Sequence, residues 1–220
     1  MILYLIRHAE PDYETDTITE TGKKQAAMLG KWFKEIPLDA IYHSSMGRAE
    51  MTASYIAKEK NMSLTPLDWA REIAWGKADG NPYDSESPWV IKDHVIEKIH
   101  SYPDGENWRN LKEFSNDIVI SDIDAHIKNF DDFILQFGYE RKNKFYKAVN
   151  PNEKSIALVC HGGVISALIS HLMNIPFFQY IAHMGSDLTA VTKINFYGTT
   201  GESVPAQLIY VNSQIHLDKK

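Results

Sequence analysis

Two histidines stand far apart in this 220-residue chain, each just past a short apolar run. Arg7 and His8 follow Ile2-Leu3-Tyr4-Leu5-Ile6. His161, with Gly162 and Gly163 behind it, follows Ile156-Ala157-Leu158-Val159-Cys160. A neutral imidazole can attack phosphorus and carry the group covalently, which splits one difficult displacement into two easier ones. A guanidinium beside it can hold the charged oxygens with two parallel hydrogen bonds. Parallel strands of an α/β sheet open at their carboxyl ends into a shared crevice. If both runs are strands of one such sheet, the two imidazoles and Arg7 meet there, an arrangement suited to moving a phosphoryl group.

Three further segments carry chemical groups. Arg48 opens a helical pattern just after Ser44-Ser45-Met46-Gly47. A cation is disfavoured in a first helical turn unless an anion sits there, and helix N-termini hold anions well. Without such an anion Arg48 is a solvated surface residue. Glu72, in Arg71-Glu72-Ile73-Ala74-Trp75, is a carboxyl near aromatic surface that could keep its proton and act as a general acid. Gly162 and Gly163 expose backbone N–H groups at the start of a helix, and His161 can donate to a phosphate oxygen. Each segment alone also fits a structural role: a strand-end Arg-His, a surface glutamate, a buried histidine on a glycine turn.

The elements that must position these groups follow from periodicity. Ile2–Ile6 is apolar throughout, as in a strand buried on both faces. Thr19 or Thr21 can cap a helix in which Ala26, Leu29, Phe33 and Ile36 recur, closed by Pro37. Asp39–His43 is a second strand. Ser44–Gly47 can cap the next helix, with Ala49, Thr52, Ala53, Ile56 and Ala57 on one face. From Asp68 to about Pro151 the pattern holds four of the five tryptophans and no convincing strand. Ser87-Pro88 starts one helix there, through Ile91, Val95 and Ile99, and Pro103-Asp104-Gly105 is a turn. Ile123, Ile127, Phe130, Ile134 and Phe137 mark a longer helix ended by Gly138. The sheet resumes at Ser155–Cys160. A helix over Val164–Met173 stops at Asn174 and Pro176. Ala190–Phe196 and Ala206–Val211 are strands able to pair antiparallel, and residues 218–220 are expected to fray.

Bulk properties narrow the classes. A net charge of −6 argues against a nucleic-acid binder, which usually presents a basic face. One cysteine, Cys160, excludes an internal disulfide and fits a reducing compartment, so a cytoplasmic location is expected. No apolar run is long enough for a membrane span, and no signal peptide is expected. The remaining histidines, His43, His94, His100, His126, His171, His183 and His216, show no metal-ligand spacing. No metal or other cofactor is expected, most of these histidines are expected at the surface or as caps, and His43 is a candidate pocket residue. Trp75, Tyr83, Trp89 and Trp108 are expected in the core of the middle region. Cys160 has Ser166 six residues on, not arginine, so the cysteine phosphatase loop is absent, as is a glycine-rich loop ending in Gly-Lys-Ser/Thr.

The order of the motifs is the specific feature: Arg7-His8, Thr19-Glu20-Thr21-Gly22 with Gln25-Ala26, Ser44-Ser45 with Arg48-Ala49 and Thr52-Ala53, Glu72, then His161-Gly162-Gly163. In that order they resemble the histidine phosphatase superfamily, the phosphoglycerate-mutase-like fold. The resemblance implies a three-layer α/β sandwich: a mostly parallel central sheet, helices on both faces, and a helical cap inserted at about residues 68–151 of one 220-residue domain. It implies that His8 is the phosphorylated nucleophile, that Arg7, Arg48 and His161 form the phosphate pocket with the Gly162 N–H nearby, and that Glu72 is the proton donor. Ala9 stands where the family has glycine. Pro11-Asp12-Tyr13-Glu14 replaces the serine or threonine and asparagine with which mutases contact phosphate, and no basic cluster for a substrate carboxylate is visible between Glu72 and Gly138. Both departures favour a phosphatase over a mutase, and the expected function is a metal-independent phosphomonoesterase acting on a small phosphorylated metabolite. The alternatives are a phosphoglycerate-type phosphomutase and a phospho-ligand-binding protein without turnover.

Overall fold

The computed structural model describes residues 1–74, 76, 97, 106–110 and 117–217. Its centre is a six-stranded sheet made of β1 (Ile2–Arg7), β4 (Ala40–Ser44), β5 (Leu64–Leu67), β8 (Ser155–Cys160), β9 (Val191–Asn195) and β11 (Gln207–Ser213), in spatial order β11-β9-β1-β8-β4-β5. The pairs β1–β8, β8–β4 and β4–β5 are parallel, and β9 runs antiparallel to both β1 and β11. Side chains alternate across each strand. Leu3, Leu5, Ile156, Leu158 and Ile194 face one layer, with α3 (Val119–Leu135) and α4 (Gly162–Met173). Tyr4, Ile6, Ala157, Val159 and Val191 face the other, with α1 (Glu20–Phe33) and α2 (Gly47–Lys60). This is the expected three-layer arrangement with a mostly parallel sheet.

Local chemistry sets the helix ends. Thr19 caps α1, its hydroxyl accepting from the Gly22 N–H at 3.0 Å. The helix stops at Phe33, four residues before Pro37, so Ile36 packs on the core from outside it. Asn174, left-handed at φ 56°, ends α4. Gly138, at φ 85°, follows α3 in a conformation that favours glycine, and a side chain there would meet the Asn150 carbonyl.

The sequence reading missed several short elements. The edge strand β5 contains Pro66, which an edge tolerates because one side of its backbone has no ladder partner. A hairpin of β6 (Tyr139–Lys142) and β7 (Phe145–Ala148), extended by β10 (Ser203–Val204), lies where no strand was expected before Pro151. Its members are short and rich in lysine, arginine and glutamate, so the apolar alternation is thin. Helix α5 (Phe177–His183) begins immediately after Pro176, which ends one helix and introduces another. The expected helix from Ser87, the turn at Pro103–Gly105 and the frayed tail at 218–220 lie outside the described residues, as do Trp75, Tyr83 and Trp89. Trp108 is buried edge-on against Phe178, as core. Among the described residues no single helix is long and apolar enough to cross a membrane.

Candidate active site

Four parallel strands deliver their carboxyl ends to one place. His8 follows β1, Ser44 ends β4, Glu72 lies shortly after β5, and His161 follows β8. The register pairs Arg7 with Cys160, and the His8 N–H donates to the Cys160 carbonyl at 3.0 Å. The two imidazole rings therefore lie 5.1 Å apart, tilted by 59°. Both are essentially inaccessible, His8 at 1% and His161 at 0% exposure.

The tautomer of His8 is set by its neighbour. Its Nδ1 donates to the Ala9 carbonyl at 2.7 Å, which puts the lone pair on Nε2. Arg48 Nε points at that Nε2 from 3.4 Å. Burial pushes the His8 pKa down to about 4; the Ala9 contact opposes this, and the Arg7 and Arg48 charges reinforce it. His161 is pushed down to about 2, by burial first and then by His8 and the arginines. Its Nε2 shares a hydrogen with Ser44 Oγ at 2.8 Å, while its Nδ1 is buried without a partner.

Arg7 donates through Nη1 to the Ser186 carbonyl, and its Nε is likewise buried and unpartnered. A side chain at Gly162 would stand 3.4 Å from that Nε, so glycine keeps the approach open. Two orphaned polar atoms, on residues at the ends of neighbouring strands, are costly unless a polar ligand meets them. Arg7 and Gly162 also border a cavity of about 280 Å³ with Ser166, Ile181, Met184 and Ser186.

Arg48 is buried, 6% exposed, not a solvated surface residue. The sequence reading missed the reason, which is Asp16. Its carboxylate takes Arg48 Nη1 at 2.6 Å and the Gly47 N–H at 2.7 Å. The expected serine cap of α2 is replaced by this contact, since the residue before the helix, Met46, makes no side-chain cap. Asp16 thus supplies the anion that a first-turn arginine calls for. It sits at φ 50° on the hairpin of β2 (Pro11–Asp12) and β3 (Thr17–Ile18), whose Tyr13 ring lies 5.5 Å from the Arg48 guanidinium. Asp12, beside them, only closes a local turn by accepting from the Glu14 N–H. A signal for Asp16 existed in the unbalanced charge of Arg48; nothing in the spacing said which acid would answer it.

The remaining motif residues shape the loop that carries His8. Thr52 Oγ1 accepts from the Ala9 N–H at 3.0 Å and donates to the Arg48 carbonyl at 2.7 Å. Gln25 accepts from the Glu10 N–H at 2.9 Å, and Thr19 donates to the Glu10 carboxylate at 2.6 Å. Ala9 is fully buried, so only a small residue fits.

Glu72 approaches from the opposite side. Its Oε1 accepts from the Ile73 N–H at 3.0 Å and the Val164 N–H at 3.3 Å, and its Oε2 lies 3.5 Å from the Gly163 N–H. It therefore caps α4. Burial raises its pKa, and the three amides and Arg7 only partly offset that. Asp79 and Asp84, other candidate acids, lie outside the described residues. His43 is buried, with Nδ1 on the Ser44 carbonyl at 2.8 Å. His126 and His216 are buried too, against the expectation of surface positions; His94 and His100 lie outside the described residues. Among the described residues no three His, Cys, Asp or Glu side chains converge as a metal site would require.

Comparison with known proteins bears on the same residues. The histidine phosphatase superfamily (branch 1) matches at residues 3–118 and 139–206. Phosphoserine phosphatase 1 of Hydrogenobacter thermophilus is 29% identical over 222 residues, 91% of this chain and 94% of that protein. The 2,3-bisphosphoglycerate-dependent phosphoglycerate mutase of Thermoplasma acidophilum is 31% identical over 122 residues, 51% of this chain and 61% of its own. A solved phosphoserine phosphatase from Entamoeba histolytica superposes with a TM-score of 0.69 at 22% identity, covering 98% of each chain, which speaks to the fold. The chain belongs to the histidine phosphatase superfamily, a family of phosphoric monoester hydrolases.

Proposed function

We propose that the protein is a phosphomonoesterase that works without a metal, through a phosphohistidine at His8, on a small phosphorylated metabolite. The observation that carries this reading is the state of His8. Its Nδ1–H is committed to Ala9, so the lone pair lies on Nε2, and burial keeps the ring neutral far below pH 7. In the first step Nε2 attacks phosphorus in line and the P–O ester bond breaks. Glu72, whose raised pKa keeps more of it protonated, gives its proton to the leaving oxygen. In the second step water attacks the phosphohistidine, Glu72 accepts the water's proton, and inorganic phosphate and neutral His8 are restored. Arg7, Arg48 and His161 hold the phosphoryl oxygens, with the Gly162 N–H available beside them; the orphaned Arg7 Nε and His161 Nδ1 support this. The cavity next to Arg7 offers room for the rest of a small substrate.

The relatives named phosphoserine phosphatases make phosphoserine the first ester to assay. A phosphoglycerate-type mutase is the second reading, favoured by the Thermoplasma relative; product ratio on phosphoglycerates separates the two. The test of the main reading is His8→Ala together with trapping on labelled ester. Turnover is lost in the variant, and the wild-type label is acid-labile, base-stable and on His8. Label on serine, or wild-type rates in the variant, overturns the reading.

A further inference from the structure

Helix α3 grips the segment that carries Glu72 along its length. The Asp122 carboxylate accepts from the Ala74 N–H at 2.6 Å, and Asp117 accepts from the Gly76 N–H at 3.2 Å. The Ile118 N–H donates to the Gly76 carbonyl at 3.0 Å. At the other end stands His126, buried at 6% exposure, with Nε2 at 2.8 Å from the Arg71 carbonyl. Its Nδ1 lies 2.8 Å from the Asp122 carbonyl. Both ring nitrogens thus face carbonyl oxygens, which only accept. A neutral imidazole has one N–H and one lone pair, so one of these contacts would set lone pair against lone pair. A ring carrying both hydrogens satisfies both, and the Asp122 carboxylate, 3.5 Å from Nδ1, balances its charge.

We infer that His126, doubly protonated, is a positioning residue for Glu72: it ties the Arg71 carbonyl to α3 and so fixes where the carboxyl next in sequence stands. Glu72 needs this because its own contacts to α4 are long, at 3.3 and 3.5 Å, and do not fix the chain that bears it. Loss of the ring's second hydrogen removes one tie and lets the segment shift. The clamp is therefore proton-dependent. Among the described residues, Asp122 of its own helix lies 3.5 Å from Nδ1. On the same helix Asp124 pairs with Arg109, Lys128 with Asp132, and Asp131 with His171 of α4. The facing segment carries Asp68, Arg71 and Glu72. Arg71 turns its guanidinium to Ser45 Oγ at 3.4 Å.

The inference rests on Glu72 acting as the acid, and the experiment separates the two. Single-turnover phosphorylation is measured with phosphoserine and with p-nitrophenyl phosphate, whose leaving group needs no proton, in wild type, His126→Gln, His126→Leu and Glu72→Gln. General acid assistance contributes about 10²–10⁴-fold, and misplacing the acid forfeits part of it. Both His126 variants are expected to slow the alkyl ester about tenfold or more and leave the aryl ester within about twofold. In wild type the ratio of the two rates follows the ring titration of His126 read from its nitrogen resonances, and in His126→Gln that component is gone. Equal slowing of both esters, or of neither, overturns the inference while a split in Glu72→Gln keeps the acid. No split in Glu72→Gln overturns both. Should the His126 variants fail to fold, the wild-type ring decides alone. A single ring hydrogen at the pH where the alkyl-to-aryl ratio is highest overturns the clamp.

Discussion

Removing the Asp16 carboxylate tests the claim that an internal anion holds Arg48 at the start of α2. Two contacts are lost in Asp16→Ala. The first is the cap on the Gly47 N–H, and losing an N-cap costs about 1 kcal/mol. The second is the ion pair to Arg48. The Asp16 side chain is 43% exposed and Arg48 only 7%, so solvent screens the pair and its contribution is at most about 1 kcal/mol. The sum is about 2 kcal/mol, which for a chain of this size lowers Tm by about 4–8 °C. Asp16→Asn keeps an oxygen for the Gly47 N–H and loses the charge, so it should cost about half as much. The pH dependence checks the assignment. Burial pushes the Asp16 carboxyl up, but the Gly47 amide and the Arg48 guanidinium outweigh this and hold it below the usual carboxylate range. A depressed folded value means that the stabilisation is present above the unfolded value, about 3.9, and is lost as pH falls through the folded one. The gap between wild type and Asp16→Asn therefore closes in acid, measured by urea unfolding at stepped pH. Because the proposed role of Arg48 is to hold the phosphoryl group, both variants should slow alkyl and aryl esters alike. A wild-type stability in Asp16→Ala, or a gap that persists in strong acid, refutes the reasoning.

Glu72→Gln should slow phosphorylation of His8 by phosphoserine about 10²-fold or more and spare p-nitrophenyl phosphate in single turnovers, since only the alkoxide needs the proton; equal slowing moves the acid elsewhere. Activity should survive excess EDTA, and recovery on adding a divalent ion after loss would show that a metal takes part. The His8 ring should titrate near 4 in the free enzyme, followed by NMR, where an exposed histidine titrates near 6.5. Its folded value is lowered, so the unfolded chain binds the extra proton between these values and His8 lowers stability as pH falls from 6.5 toward 4. A midpoint near 6.5 would remove the case for a neutral, buried nucleophile.

What the sequence made legible was whatever repeats with a period or needs a particular residue. The strands ending in Arg7 and Cys160 are unbroken apolar runs, as strands buried on both faces are, while their parallel pairing was implied only by the family resemblance. Thr19 and Gly138 were readable because caps and left-handed turns narrow the choice of residue. The hairpin over residues 139–148 was not, because Glu140, Arg141, Lys142 and Lys147 blunt the apolar alternation. Asp16 was not, because an ion pair between a turn and a helical residue 32 positions later in sequence leaves no periodic trace. His126 was readable only as one position of a helix; its two carbonyl partners exist only once the segment at Arg71 is laid against α3.

One physical cause acts on both ends of the proposed mechanism. Burial disfavours charge whatever its sign, so it pushes the imidazole of His8 down and the carboxyl of Glu72 up. Each shift favours the neutral form, and neutral is what each proposed step uses: a lone pair on one side, a proton to give on the other. The arginines break the symmetry. Their charge reinforces the shift on His8, while the Arg7 charge opposes the shift on Glu72. An incoming dianionic phosphate screens those same guanidiniums, and so raises the proton affinity of both groups. As the proposed acid, Glu72 gains from that change, because in that role it holds a proton until the ester bond breaks. His8 can absorb it, because its ring starts well below neutrality. The large depression of His8 in the free enzyme is thus what leaves it unprotonated once the substrate's charge arrives beside it.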